Sequence, residues 1–503
     1  MAASNLLHKA KLNALASYFN FGISSVLVFL LSPYLVAFLG NYSFGVWKSI
    51  QKILTFATVA DGRATQALKW VIANDEEKDD YNIKKQAIGS SLKVWMYFLP
   101  FMLLIISLLV WNLPNLINNL DSSMYESVYL VGLILGANML INPLLAIPDA
   151  ILVGTNNGYK STSIQIIGVV FSNCLMVLTA YLGYGIVGLA SVILLITAMN
   201  ALLIFFVCKK NIPWLGVQKP SKAQIKEFFG FSFWVFLWSF VQKLILSTEI
   251  LLIGFLINPV AVSNYVFTTY IVQLAISISL ITGSAITPGL GKVIGAKDLD
   301  KAKGITKGLR DIIMFIAAFF GGIILLLNKN FVSLWMGETY FMGEYSNLLI
   351  VLIMVHLVMF RIEGQVQDLS LKIKSKVIYG GLFAVLCFVL GSIGFKLLGE
   401  RIEGVFLGVL IGRVLHVFVF QNLVDKMLMI KAKKKIVLYT YLVVLFFLSK
   451  VFMYTNSWFM FIIISFLTGV LLFLICFNLF LSKNSKRKLM EMAGLKNNSL
   501  NKS

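Results

Sequence analysis

Charged residues are scarce in this sequence. They make up 13% of its 503 residues, whereas about 25% of the residues of a typical soluble domain are charged. Hydrophobic residues make up 59%, and apolar runs of about 20 residues, enough for one membrane-spanning helix, recur along the chain. The low charge content excludes an ordinary soluble domain, and we predict an all-α polytopic membrane protein.

Motifs for ATP hydrolysis and for metal binding are also missing. No Walker A sequence occurs, which excludes ATP hydrolysis by that route. Four cysteines lie in or beside apolar runs without the spacing of metal ligands: Cys174, Cys208, Cys387 and Cys476. We interpret them as packing residues, and we interpret the isolated histidines His356 and His416 as packed or hydrogen-bonded residues. We therefore predict no metal and no resident cofactor, and leave open transport driven by a proton or sodium gradient.

The basic residues exceed the acidic ones by 21 and concentrate in alternate connections between the apolar runs. Because loops rich in lysine and arginine stay in the cytoplasm, this pattern predicts that both termini are cytoplasmic. Lys329, Lys396 and Arg401 are the main exceptions. No basic patch alternates with exposed aromatics on a soluble module, so the positive charge does not indicate nucleic-acid binding.

We predict about fourteen membrane helices. They cover residues 12–39, 42–73, 85–110, 125–153, 160–181, 186–207, 228–255, 260–288, 308–328, 345–364, 376–397, 402–425, 434–453 and 457–481. Several prolines fall inside these helices, where proline produces a kink. Pro143 and Pro148 interrupt the fourth helix, and Pro33 in the first helix is a candidate hinge.

A weak internal repeat relates the two halves of the chain. The stretch 36–40 followed by 42–47 resembles 254–256 followed by 260–265, and six helices separate the copies. Parallel repeats of this kind are found in transporters. We predict two pseudo-symmetric six-helix bundles with two extra helices and a tail. The boundaries are 1–208 for the first bundle, 209–226 for a cytoplasmic linker, 227–428 for the second bundle, 429–482 for helices thirteen and fourteen, and 483–503 for a basic cytoplasmic tail.

A polar stripe in the second predicted helix is the first candidate site. Its members recur every three or four residues and so share one helical face: Lys48, Gln51, Lys52, Thr55, Thr58, Gly62 and Gln66. The opposite face, with Ile50 and Leu54, suits lipid or packed neighbours. A lysine in the bilayer centre costs about 2.5–3.5 kcal/mol, which favours a water-filled cavity over lipid for Lys48 and Lys52. The alternative is that both lysines extend outward to lipid headgroups.

A second polar face lies in the seventh predicted helix. Ser232, Ser239, Gln242, Lys243 and Glu249 recur on it. By helix rise, Lys243 reaches a depth near the bilayer midplane, similar to that of Lys52. Neither lysine has an acidic residue three or four positions away. Two basic groups at matching depth, one from each repeat, favour an anionic cargo.

Further candidates lie in two of the predicted helices. Tyr265 and Gln273 in the eighth predicted helix carry groups that could contact a sugar, although bonds between helices are the commoner use. Asp61 and Arg63 are candidates for a gate, with a solvated helix end as the alternative.

Several of these segments resemble polysaccharide exporters of the MOP superfamily, with the Wzx-type O-antigen and capsule flippases as the closest subgroup. The resemblance rests on 38–40, 42–47, Asp61-Gly62 and the stretch 248–254, with its acidic residue before Leu-Leu-Ile-Gly. It implies two bundles around a central cavity that move an undecaprenyl-pyrophosphate-linked oligosaccharide between leaflets of the bacterial inner membrane, without catalysing a reaction. A polysaccharide polymerase and a chain-length regulator would be partners. Glu249 stands where the family often has aspartate, which leaves its coupling role open.

Two other functions stay open. A MATE-like antiporter of small molecules would need acidic residues in its cavity for organic cations, whereas the predicted cavity is basic. A membrane polysaccharide polymerase or acyltransferase usually presents a long outward loop or a cluster of His, Asp and Glu, and neither occurs in this sequence.

Overall fold

The computed structural model of the chain describes residues 2–58, 62–74, 80–369, 373–430, 436–452 and 454–492. Regular secondary structure within these ranges is helical. The first ten helices are α1 Ala2–Leu39, α2 Asn41–Leu54, α3 Ala64–Asn74, α4 Tyr81–Asn112, α5 Tyr125–Leu145, α6 Ile147–Gly154, α7 Gly158–Tyr181, α8 Gly185–Asn211, α9 Lys222–Leu256 and α10 Pro259–Thr268. The others are α11 Tyr270–Gly295, α12 Leu299–Trp335, α13 Glu344–Asp368, α14 Ile373–Leu397, α15 Ile402–Leu428, α16 Ile436–Ser449, α17 Trp458–Phe480 and α18 Lys483–Met492.

The prediction of an all-α polytopic membrane protein is confirmed, but the count of fourteen spans is not. Within the described residues, eleven helices are long and apolar enough to cross a bilayer. The count becomes twelve if α10 and the first part of α11, which are bent by 55°, form one span. Two predicted spans are not among these twelve. The predicted helix 42–73 is divided into α2 and α3, and the predicted helix 434–453 corresponds to α16, which has only 14 residues.

The predicted continuous helix 42–73 is wrong because the chain leaves the right-handed conformation near its middle. Gly62 and Arg63 have positive φ values of 63° and 51°, which an α-helix cannot contain. Before this break, the hydroxyl of Thr55 donates to the carbonyl of Gln51 at 2.7 Å, and that of Thr58 donates to the carbonyl of Thr55 at 2.8 Å. Hydroxyls bound to the backbone in this way compete with regular helix continuation. The polar stripe therefore lies on one regular helix only as far as Leu54.

The prolines have different effects on their helices. Pro148 occupies the first turn of α6, directly after the break that separates α6 from α5, as expected for a residue without an N–H donor. The predicted interruption of the fourth helix is thus confirmed at Pro148, while Pro143 lies inside α5. Pro33 lies inside α1, which begins at Ala2 rather than at residue 12. The hinge at Pro33 stays a prediction.

The chain divides into two compact units, Met1–Ser263 and Asn264–Ser503. In the first unit, α7 packs against α1 and α8, and α9 packs against α2, α3 and α4. Apolar residues of α3, α4, α6 and α8 form a common core, which includes Leu68, Ile72, Ile88, Ile151 and Ile204. In the second unit, α15 packs against α13 and α14, and α12 contacts α11, α13, α16 and α17. The predicted bundle boundaries at 208 and 428 stay predictions.

A buried ionic cluster joins three helices of the second unit. The guanidinium of Arg310 in α12 donates two hydrogen bonds to the carboxylate of Glu363 in α13, at 2.7 and 2.8 Å. It donates a third to Asp425 in α15 at 2.6 Å. The carboxylate side chains are only 6% and 9% exposed. Arg310 therefore neutralises much of the charge that Glu363 and Asp425 bring into the protein interior.

We expect Arg310→Met to destabilise the second unit strongly. The variant leaves two buried carboxylates without their cation, and loss of one partner from a buried ion pair costs about 3–5 kcal/mol. Lys329→Met is the matched control, because the Lys329 ammonium lies 3.9 Å from the Glu344 carboxylate and the two side chains are 45% and 35% exposed. A pair in contact with solvent contributes about 0–1 kcal/mol. Chemical unfolding in mixed micelles measures the free energy of unfolding of both variants and of the wild type. Equal stability losses in the two variants would contradict this interpretation.

Candidate substrate-binding site

The amphipathic face predicted for α2 is present in the structure. Ile50, Ile53 and Leu54 are buried at 4% exposure or less, so the apolar side of α2 contacts protein. Lys48 and Lys52 lie on the other side and are half-buried. The sequence periodicity thus separates the packed face from the polar face up to the end of α2.

Lys48 and Lys52 form a basic pair one turn apart on α2. Their charges act on each other, as expected for like charges at positions i and i+4. The ammonium of Lys48 lies 5.2 Å from the ring centroid of Phe44, close enough for a cation–π interaction. Gln51 lies between the two lysines in the sequence and is also half-buried. This polar face of α2 can present two cations and an amide to one ligand.

Glu249 is an acidic neighbour of Lys52 that comes from another helix, so the spacing of residues along α2 does not predict it. It lies on α9, is 5% exposed, and acts electrostatically on Lys52. The absence of an acidic residue three or four positions from Lys52 therefore does not leave this lysine uncompensated. Contact of α2 with α9 in the first unit brings the two charges together.

Lys243 also lies on α9, where it binds the end of α2. Its ammonium donates a hydrogen bond to the carbonyl of Thr55 at 3.1 Å and another to the hydroxyl of Thr58. Thr55 is the C-terminal cap of α2, and a cation at a helix C-terminus satisfies carbonyls and opposes the negative end of the helix dipole. Lys243 is therefore held beside the same polar segment that follows Lys52. Its neighbour Gln242 is half-buried.

The other predicted site residues lie in the second unit, beside α3 or outside the described residues. Tyr265 and Gln273 belong to the second unit, where the ring of Tyr265 stacks on Phe406 at 5.9 Å and Gln273 is exposed. The backbone carbonyl of Arg63 accepts hydrogen bonds from the first turn of α3. Asp61 lies outside the described residues.

The isolated histidines are hydrogen-bonded or packed, as predicted. In His356, one ring nitrogen lies 2.7 Å from the carbonyl of Leu352 and the other 2.9 Å from the hydroxyl of Tyr439. His416 is buried against the rings of Phe360, Phe383 and Phe420. Within the described part of the chain, no three His, Cys, Asp or Glu residues are grouped as metal ligands.

The cluster formed by Arg310, Glu363 and Asp425 was not predicted from the sequence. Each residue occurs singly near one end of an apolar run, so local spacing carries no signal for it. The available signal was the presence of charged residues inside predicted helices, because such residues pair with one another or face a polar site.

A family model described as "Polysaccharide biosynthesis protein" matches residues 82–342, slightly more than half of the chain. No curated protein matches the sequence. Among solved structures, the fold is similar to that of the lipid II flippase MurJ in an inward closed conformation. The TM-score is 0.68 with 16% identity, and the match covers 95% of this chain and 99% of that chain.

Two further structures have the same fold. A multidrug resistance MATE transporter of the MOP superfamily, inward-facing, matches with a TM-score of 0.67 and 15% identity over 81% of this chain and 97% of that chain. The second is a MOP superfamily transporter from Pyrococcus furiosus, for which reversed polarity of the binding pocket suggests a different function. It matches with a TM-score of 0.53 and 17% identity over 84% of this chain and 94% of that chain. Identities this low establish the fold alone. The chain has the fold of MOP-superfamily transporters and belongs to the family of polysaccharide biosynthesis proteins.

Proposed function

We propose that this protein is a flippase that moves an undecaprenyl-pyrophosphate-linked oligosaccharide from the inner to the outer leaflet for surface polysaccharide assembly. The observation that carries the proposal is the pair Lys48 and Lys52, half-buried on one face of α2. Two lysines one turn apart repel each other, and an anionic ligand relieves that repulsion. Membership in the polysaccharide biosynthesis family supports a saccharide-bearing cargo.

The headgroup chemistry follows from the residues on α2 and α9. Each charge-assisted hydrogen bond from a lysine to the pyrophosphate contributes about 1.5–3 kcal/mol, which offsets part of the headgroup's lost hydration. Glu249 limits the net charge beside Lys52 and thereby permits release. Lys243 exchanges its bonds to Thr55 and Thr58 for bonds to the cargo, so that headgroup binding changes the end of α2.

The other candidates have supporting roles in the proposed cycle. Gln51, Gln242, Tyr265 and Gln273 contact the polar parts of the cargo. Asp61, Arg63 and Glu249 contribute to gating or to coupling with a proton or sodium gradient, and Pro33 is a hinge. The cycle is alternating access, as in other transporters built from repeats. The protein acts in the bacterial inner membrane with both termini in the cytoplasm, beside a polysaccharide polymerase and a chain-length regulator.

A MATE-like antiporter is the second candidate, and buried Glu249 favours it. A carboxylate at 5% exposure could attract an organic cation. Three lysines lie on the adjoining faces of α2 and α9, however, and their positive charge exceeds the single negative charge of Glu249. This excess favours an anionic cargo.

We expect purified protein in proteoliposomes to move a fluorescent undecaprenyl-pyrophosphate oligosaccharide between leaflets. A membrane-impermeant glycosidase measures the fraction exposed outside, and liposomes without protein are the control. Imposing or collapsing a proton or sodium gradient identifies the coupling ion. Protein that moves organic cations while leaving the lipid-linked oligosaccharide in place would overturn the flippase proposal in favour of the antiporter.

A further inference from the structure

An apolar cavity of about 590 Å³ is lined by residues of the first unit, and the lysines of α2 are not on its lining. It is bounded by α4, by the junction of α5 and α6, by the end of α8 and by the segment 212–217. Its apolar lining includes Leu92, Leu144, Ile147, Ile151, Phe205 and Leu215. Lys209 is the charged residue on that lining.

The segment after α8 forms a fixed wall of this cavity. The N–H of Gln218 donates to the carbonyl of Lys85 at 3.2 Å, and its side-chain amide donates to Asn82 at 2.9 Å. Trp214 stacks on Tyr81, with ring centroids 6.4 Å apart. These contacts hold the predicted linker against α4, so the cavity is formed before any ligand arrives.

We expect the cavity to open at a membrane interface. Lys209 lies in the last turn of α8, a candidate membrane span, and Trp214 follows it closely, as is common for tryptophan near lipid headgroups. The floor residues Ile147 and Ile151 are buried, whereas Phe205 and Leu144 are 43% and 37% exposed. An apolar opening beside the hydrocarbon region is a poor site for water and a good one for a lipid chain.

We propose that this cavity binds one acyl chain of an anionic glycerophospholipid, with the ammonium of Lys209 pairing with the lipid phosphate. The apolar walls match the chain, and the cation at the rim matches a headgroup with net negative charge. Phe205 lies one helical turn before Lys209, about 6 Å deeper by helix rise. Phe205 is thus placed to contact the acyl chain and Lys209 to contact the phosphate of a lipid in the same leaflet. This lipid is a resident of the first unit and is separate from the transported cargo.

Matched variants in nanodiscs test this site. Lys209→Gln removes the rim charge, and Lys210→Gln is the control, because Lys210 is exposed at the same helix end but is not on the lining. Gly216→Phe adds a bulky side chain to a residue of the lining, where the nearest contact of an added Cβ atom would be the flexible side chain of Lys85, at 3.4 Å. Native mass spectrometry after partial delipidation counts retained phosphatidylglycerol and phosphatidylcholine, and thermal unfolding verifies that each variant is folded.

We expect the wild type to retain one phosphatidylglycerol in preference to phosphatidylcholine. Lys209→Gln should lower that preference about fivefold, Gly216→Phe should abolish retention, and Lys210→Gln should match the wild type. Equal retention by the wild type and folded Lys209→Gln would overturn the proposal. Displacement of phosphatidylglycerol by undecaprenyl phosphate would also overturn it, since the cavity would then serve the cargo chain.

Discussion

Replacing Lys52 with glutamate should abolish export of surface polysaccharide. The substitution converts the basic pair of α2 into a pair of opposite charges and places a new carboxylate beside buried Glu249. A pyrophosphate headgroup would then meet repulsion where it previously met a cation. Lys52→Arg should retain part of the activity, because the charge persists while its geometry changes. Surface polymer in a flippase-null strain, complemented at matched protein level, measures these effects.

Neutral variants of Lys52 and Glu249 distinguish a role of Lys52 in cargo binding from a purely structural ion pair between the two residues. If Lys52 binds the cargo, Lys52→Gln should lose most of the export while Glu249→Gln retains binding of the anionic headgroup. If the two residues only stabilise each other, both variants should lose the same thermal stability and the same activity. Wild-type polymer from the double variant Lys52→Glu, Lys243→Glu would refute a headgroup role for both lysines.

Replacing Gly408 with leucine should prevent the second unit from folding. Gly404, Gly408 and Gly412 recur every four residues on α15 and face α14. A Cβ atom at Gly408 would lie 2.0 Å from the backbone carbonyl oxygen of Leu390, and one at Gly404 would lie 2.2 Å from that of Gly394. Backbone atoms cannot rotate away as a side chain can, so the two helices would have to separate. Small residues at this spacing permit such close packing of membrane helices.

The stability of glycine variants measures this packing. Gly408→Ala introduces the same Cβ atom and should cost at least about 1–3 kcal/mol, the usual range for overpacking, and Gly408→Leu, with a larger side chain, should yield little monodisperse protein in detergent. Gly469→Ala in α17 is the control, because no atom lies within 4 Å of its added Cβ. That change should be neutral or stabilising by up to about 1 kcal/mol. Comparable expression and unfolding temperature for Gly408→Leu and the wild type would show that α14 and α15 do not require this contact.

The membrane architecture could be predicted from the sequence because hydrophobicity is a local property. A run of about 20 apolar residues is long enough to span a bilayer whatever surrounds it, and the long helices follow from that rule. The polar face of Lys48, Gln51 and Lys52 was also predictable, because a helical period assigns each residue of α2 to one side. The same rule failed beyond Leu54, because α2 ends there and the left-handed residues Gly62 and Arg63 precede α3.

The partners of the charged residues were decided by the tertiary structure. Helical periodicity relates residues within one helix, and it carries no information about which helices meet. The packing of α2 on α9 brings Glu249 to Lys52, and it sets Lys243 on the carbonyl of Thr55, 188 positions away. Arg310 likewise reaches Asp425 across 115 positions. A buried charge is stable only beside its counter-charge, and helices from distant parts of the chain supply that counter-charge when they pack together.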